Sequence, residues 1–124
     1  MEDYIEKALR TESQDWEMIQ ARMSNINILR LDHAADGLCT EAGEFKDTLK
    51  KWKYYGKPLD YTNLMEELGD TLWYIAIACK ALGIDFEYLQ LTNIAKLKER
   101  YPEKFDGSKA VRDIEKELSV FNNE

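Results

Sequence analysis

The chain has 124 residues, enough for one hydrophobic core but not two, and a third of them are charged, with a net charge of −7. That balance argues against nucleic-acid binding through a basic surface. With only two Pro and six Gly, a turn-rich β fold is disfavoured and helices are expected.

Five helical segments are predicted. The first runs from about Glu2 to Met23 with a break near Thr11-Glu12-Ser13-Gln14, where Thr-x-x-Gln reads as a capping box. A long helix follows from about Ile26 to Tyr54, and its stripe Leu38, Ala42, Phe45, Leu49, Trp52 steps like a bundle seam. Gly56-Lys57-Pro58 ends it and turns the chain. The third helix starts near Asp60 or Thr62 and reaches Leu82, with Gly83 as C-cap and the stripe Leu64, Leu68, Leu72, Ile75, Cys79, Leu82. A fourth spans about Asp85 to Arg100 and is stopped by Pro102. A fifth, about Ser108 to Phe121, carries Val111, Ile114, Leu118 and Phe121 and is expected to cap the bundle.

The longest apolar run, Leu72 to Cys79, is too short to span a bilayer and is closed by Lys80, so no membrane partner is expected. The acidic start Met1-Glu2-Asp3 lacks a signal-peptide core. Cys39 and Cys79 form no CxxC motif and read as buried free thiols, so a cytoplasmic protein is expected. No linker, repeat or low-complexity segment divides the chain, which reads as a single domain, 1–124.

The chemistry lies in two acidic pairs, Glu41-Ala42-Gly43-Glu44 and Glu67-Leu68-Gly69-Asp70. Each pair is spaced i, i+3, so it projects two carboxylates from one helical face. Six acid-x-x-acid pairs occur in the chain, but these two border the apolar stripes instead of lying opposite them. Helices joined by the short Gly-Lys-Pro turn pack antiparallel, which brings the four carboxylates together. Like charges that close repel and shift each other's pKa unless a cation sits between them, and oxygen-only ligands suit a hard divalent ion, usually Mg²⁺ shared with substrate phosphates. On the fourth helix Asn93, Lys96 and Arg100 share a face whose amide, ammonium and guanidinium suit an oligophosphate. Trp73 follows Asp70 by three residues, within reach of a ligand for base stacking. Lys50, Lys51 and Lys53 lie two turns beyond Glu44, where a triphosphate tail or another subunit can be met.

These segments resemble the MazG-like, all-α nucleoside triphosphate pyrophosphohydrolases over nearly the whole chain from His33 onward. The resemblance is carried by the run Gly37 to Phe45, by Tyr55-Gly56-Lys57 with Asp60 and Asn63, and by the run Glu66 to Tyr74. It continues through the run Asn93 to Pro102, Phe105 and Arg112-Asp113. The 22 residues from 45 to 66 between the acidic pairs fit the family's Glu-x-x-Glu, spacer, Glu-x-x-Asp signature. Cys39 and Thr40 depart from it, standing where small residues or Gly are common.

The resemblance implies an all-α, four-helix-bundle core with an extra C-terminal helix, assembled as a homodimer or homotetramer whose sites are built partly from a neighbouring subunit. It implies hydrolysis of (deoxy)nucleoside triphosphates between the α- and β-phosphates, giving nucleoside monophosphate and pyrophosphate. Glu41, Glu44, Glu67 and Asp70 would hold Mg²⁺, with Mn²⁺ as a substitute, and Glu41 or Glu44 would orient or deprotonate the attacking water. Asn93, Lys96 and Arg100 would contact phosphates or sugar, and the base pocket would draw on Trp16, Met18, His33 or Trp73. A di-iron carboxylate bundle needs Glu-x-x-His pairs, which this chain lacks. A non-catalytic nucleotide-sensing or partner-binding oligomer, and a phosphoribosyl-ATP pyrophosphohydrolase, stay open as alternatives.

Overall fold

The computed structural model describes residues 3–122, and all of the regular structure among them is helical. Two compact units divide the chain, one ending at Ala81 and one beginning at Leu82.

The first unit holds α1 (Tyr4–Leu9), α2 (Trp16–Met23), α3 (Ile26–Tyr55) and α4 (Tyr61–Leu82). The break before α2 falls where the sequence places it, though by a different device. The Thr11 hydroxyl donates back to the Ala8 carbonyl (3.2 Å) and closes α1, while Asp15 stands at the N-terminus of α2 without a side-chain cap bond. Glu2, the expected first residue of that segment, lies outside the described residues. Asn25 starts α3 by accepting the backbone N–H of Asn27 (2.8 Å) and of Ile28 (3.3 Å). Gly56 ends it in the left-handed region (φ 64°), which a Cβ would disfavour, and the Lys57 N–H returns to the Lys51 carbonyl (3.3 Å). Asp60 then caps α4, accepting the Asn63 N–H at 3.0 Å.

The α3–α4 hairpin is antiparallel, with His33 against Trp73 and Tyr74 at one end and Thr48 bonded to Asn63 at the other. Its facing line takes in only part of the expected apolar seam, with Cys79 buried and Phe45, Leu64 and Ile75 half-buried. Ala34, Gly37 and Glu41 are the buried residues of α3, and Glu67 and Cys79 those of α4. Leu38, Leu49 and Trp52 of the α3 stripe are exposed, as are Leu68, Leu72 and Leu82 of the α4 stripe. Cys39, expected to be buried, is also exposed. Placing the polar side chains Glu41 and Thr48 toward Asn63 and Glu67 leaves several leucines of the stripes outside.

In the second unit, α5 (Phe86–Arg100) is capped by Asp85, which accepts the Tyr88 N–H at 2.6 Å. The expected final helix from Ser108 is shorter. Asp106 accepts both the N–H (3.0 Å) and the hydroxyl (2.7 Å) of Ser108, giving only a 3₁₀ turn, Gly107–Lys109. The α-helix, α6 (Ile114–Ser119), begins only after Asp113, whose side chain accepts the Lys116 N–H (3.1 Å). Its expected apolar stripe is exposed, and the residue it buries is Glu117. Glu117 Oε1 accepts from Arg100 Nε (2.5 Å), and Oε2 accepts from Arg100 Nη2 and Arg112 Nε (2.8 Å each). The two guanidinium groups, Arg100 foremost, hold the Glu117 carboxyl down to about 2 against the opposing effect of burial.

Candidate metal and phosphate site

One carboxylate oxygen from each of Glu41, Glu67 and Asp70 lies within 4.8 Å of the others. Glu41 and Glu67 are buried and Asp70 is exposed. The helical i, i+3 spacing puts Glu67 and Asp70 on one side of α4, and the hairpin lays Glu41 of α3 across from them. Glu44, one turn beyond Glu41, stands exposed beside the same carboxylates.

The electrostatics of the cluster call for a positive charge. Glu41 Oε2 and Glu67 Oε2 are buried and meet no hydrogen-bond donor. As carboxylates neither can donate, so only a proton can join them. That hydrogen bond to Glu67 is the main cause raising the Glu41 carboxyl to about 7, with desolvation and the charges of Glu44, Glu67 and Asp70 behind it. Glu44 is raised too, first by its hydrogen bond with Glu67 and then by the Glu67 charge. A cation removes the same repulsion without a proton. The all-oxygen donor set and the two unpartnered buried oxygens fit a hard divalent ion, and no Cys or His belongs to the group.

Two further side chains frame the cluster. Asn63 Nδ2 donates to Glu67 Oε1 (3.1 Å), and the Thr48 hydroxyl donates to Asn63 Oδ1. Beside them Thr48, Lys51, Lys57, Pro58, Asp60 and Asn63 line a groove of about 360 Å³. Trp73, 56% exposed, packs edge-on against His33 (6.1 Å between centroids) and Tyr74 (4.9 Å).

Of the other residues singled out from sequence, Asn93, Lys96 and Arg100 lie along α5 in the second unit. Asn93 is exposed, while Lys96 and Arg100 are half-buried. Glu117 engages Arg100 along its Nε–Nη2 edge. Sequence reasoning missed Glu117, since a Glu between Lys116 and Leu118 in a charged segment carries no signal until Arg100 is seen against it. In the sequence Asn63 stands out only as part of the motif around Gly56 and Asp60. Its position one turn before Glu67 was the available signal.

No curated protein and no solved structure matches the chain significantly. The family description "MazG nucleotide pyrophosphohydrolase domain" matches residues 31–105, a span that includes both acidic pairs and all of α5. With more than half of the sequence matched and the paired carboxylates gathered across the α3–α4 hairpin, the chain belongs to the MazG nucleotide pyrophosphohydrolase family.

Proposed function

We propose that this protein is a Mg²⁺-dependent enzyme of a single functional domain that hydrolyses nucleoside or deoxynucleoside triphosphates between the α- and β-phosphates, releasing nucleoside monophosphate and pyrophosphate. The observation that carries the reading is the convergence of Glu41, Glu67 and Asp70 with two buried oxygens that lack any donor. Glu41, Glu44, Glu67 and Asp70 are the residues that would hold the cation, with Mn²⁺ as a substitute. When bound, it would neutralise the charge of the triphosphate and of the departing pyrophosphate.

The protein's own groups divide the remaining work. Glu44 or Glu41 takes the proton of the attacking water. A carboxylate beside the cation is an adequate base, because the cation would lower the pKa of water held there. Asn93 and Lys96 are assigned to phosphate and sugar, together with the guanidinium edge of Arg100 that Glu117 leaves open. Trp73 offers an exposed indole one turn from Asp70 for the base.

The exposed leucines of α3 and α4 support assembly as a homodimer or homotetramer. A non-catalytic sensor would keep the fold but has no need for three converging carboxylates with a fourth beside them.

The test is chromatographic product analysis with each ribo- and deoxyribonucleoside triphosphate, with Mg²⁺ and with EDTA. Monophosphate plus pyrophosphate, formed only with metal, is the expected result. Diphosphate plus phosphate would show that the wrong bond is assigned. Glu44→Gln and Asp70→Asn are expected to lower turnover by at least about 10²-fold with unchanged helical circular dichroism. Full activity in either variant removes its residue from the site.

A further inference from the structure

We infer that Asn63, oriented by Thr48, is the positioning residue that sets the Glu67 carboxylate for its cation. The inference rests on the metal reading above. Asn63 makes three polar contacts with three different residues. Its backbone N–H is taken by Asp60 (3.0 Å), its Nδ2 donates to Glu67 Oε1 (3.1 Å), and its Oδ1 accepts from the Thr48 hydroxyl. An ionised carboxylate only accepts, so Glu67 selects the NH₂ end of the amide. The oxygen end must then face Thr48, and it draws the hydroxyl proton away from the alternative acceptor, the Glu44 carbonyl (3.3 Å).

The consequence falls on Glu67. The terminal torsion of a glutamate is broad, so its two oxygens are otherwise free to exchange places. Here Oε1 is claimed by Asn63, Oε2 is left buried without a partner, and a Glu67 carboxylate oxygen lies within 4.8 Å of the oxygens of Glu41 and Asp70. One oxygen is held and the other is presented. Thr48 lies one turn beyond Glu44, and Asn63 one turn before Glu67, so the bond also ties together the two helical turns that bear the acids. Ligating carboxylates are commonly fixed by such partners, whose loss weakens metal affinity about 10- to 100-fold.

The test titrates Mn²⁺ into the full-length, metal-free protein without nucleotide, reading free Mn²⁺ by electron paramagnetic resonance, and records each variant's melting temperature. Asn63→Leu removes the amide at similar volume and keeps the backbone N–H that Asp60 accepts. It is expected to raise the Mn²⁺ dissociation constant at least about tenfold. Thr48→Val is expected to weaken binding in the same direction, and Thr48→Ser, which restores the hydroxyl, to bind as the parent does. A residue that merely ties α3 to α4 would lower the melting temperature and leave affinity unchanged.

A folded Asn63→Leu protein with parental affinity overturns the inference. If Asn63→Leu does not fold, the Thr48 pair decides, and equal affinities of Thr48→Val and Thr48→Ser overturn it. A parent protein that binds no Mn²⁺ overturns the metal reading and this inference with it. Parental binding with an unaffected Asn63 variant overturns the inference alone.

Discussion

Glu41 and Glu117 are both buried carboxylates, and their neighbours drive them in opposite directions. Glu41 faces other acids and is raised to about 7, while Glu117 faces two guanidinium groups and is held down to about 2. Both start from 4.5, so the linkage signs differ. The folded state binds the Glu41 proton more tightly than the unfolded chain does. Stability from that proton is therefore present at low pH and lost as pH rises from 4.5 through about 7. Glu117 contributes stability above 4.5 that is lost as pH falls toward about 2. The metal-free protein should thus melt at lower temperature at about pH 8 than at about pH 5. Saturating Mg²⁺ should raise the melting temperature more at the higher pH, where it replaces a missing proton. Calorimetry with Mg²⁺ and with EDTA checks both; a metal effect equal at the two pH values would contradict the shared-site reading. The identity of the acids was legible in the sequence from their spacing beside apolar stripes. Their protonation was not, because it depends on distances across the hairpin.

At the scale of elements, α3, α4 and α5 end within about two residues of their expected limits, because caps and breakers are local chemistry. Asn25, Asp60 and Asp85 each bond to backbone within three residues, and Gly56 and Gly83 take the only positive φ values among the described residues. The last helix failed for an equally local reason, the Asp106 and Asp113 turns, which compete with helix formation over 106–113. The hairpin also has a requirement that composition does not reveal. A Cβ on Gly37 would overlap the Tyr74 ring, which packs against His33 (5.6 Å) and Trp73. Gly37→Ala should therefore cost about 1–3 kcal/mol of overpacking. The better helix propensity of Ala offsets about 1 kcal/mol of it. Gly43→Ala, with open space around it, keeps that propensity gain within the chain. Thermal melts of the two variants should therefore move apart, and Gly37→Ala melting no lower than the parent would remove the close-packing argument.

For the whole molecule, the balance of apolar surface is the main physical constraint. Among the apolar side chains of the described residues only Ala34 and Cys79 are buried, while Leu68, Leu72 and Trp73 are each more than half exposed. Covering one such side chain is worth about 1.5–3 kcal/mol, so the leucine stripes favour a second copy of the chain. Sedimentation equilibrium should find a dimer or tetramer at micromolar concentration. Leu68→Lys with Leu72→Lys should shift it toward monomer and lower the melting temperature. A parent chain that stays monomeric there would refute the proposed assembly.

The sequence by itself determined the extents of α3, α4 and α5 and the spacing of the acidic pairs, because each depends on spacing along one chain: three to four residues for a helical face, and one glycine or aspartate for an end. It also held the stripes Leu38 to Trp52 and Leu64 to Leu82, but periodicity reports only that a face is apolar, not what will cover it. Tertiary structure decided that polar side chains share the inside of the α3–α4 hairpin and leave several stripe leucines uncovered. It also decided that Glu41 and Glu67 lose water there and that Glu117 holds Arg100 and Arg112. Those outcomes depend on the rotation of one helix against another, which fixes burial and through-space charge and which no spacing within a single helix encodes.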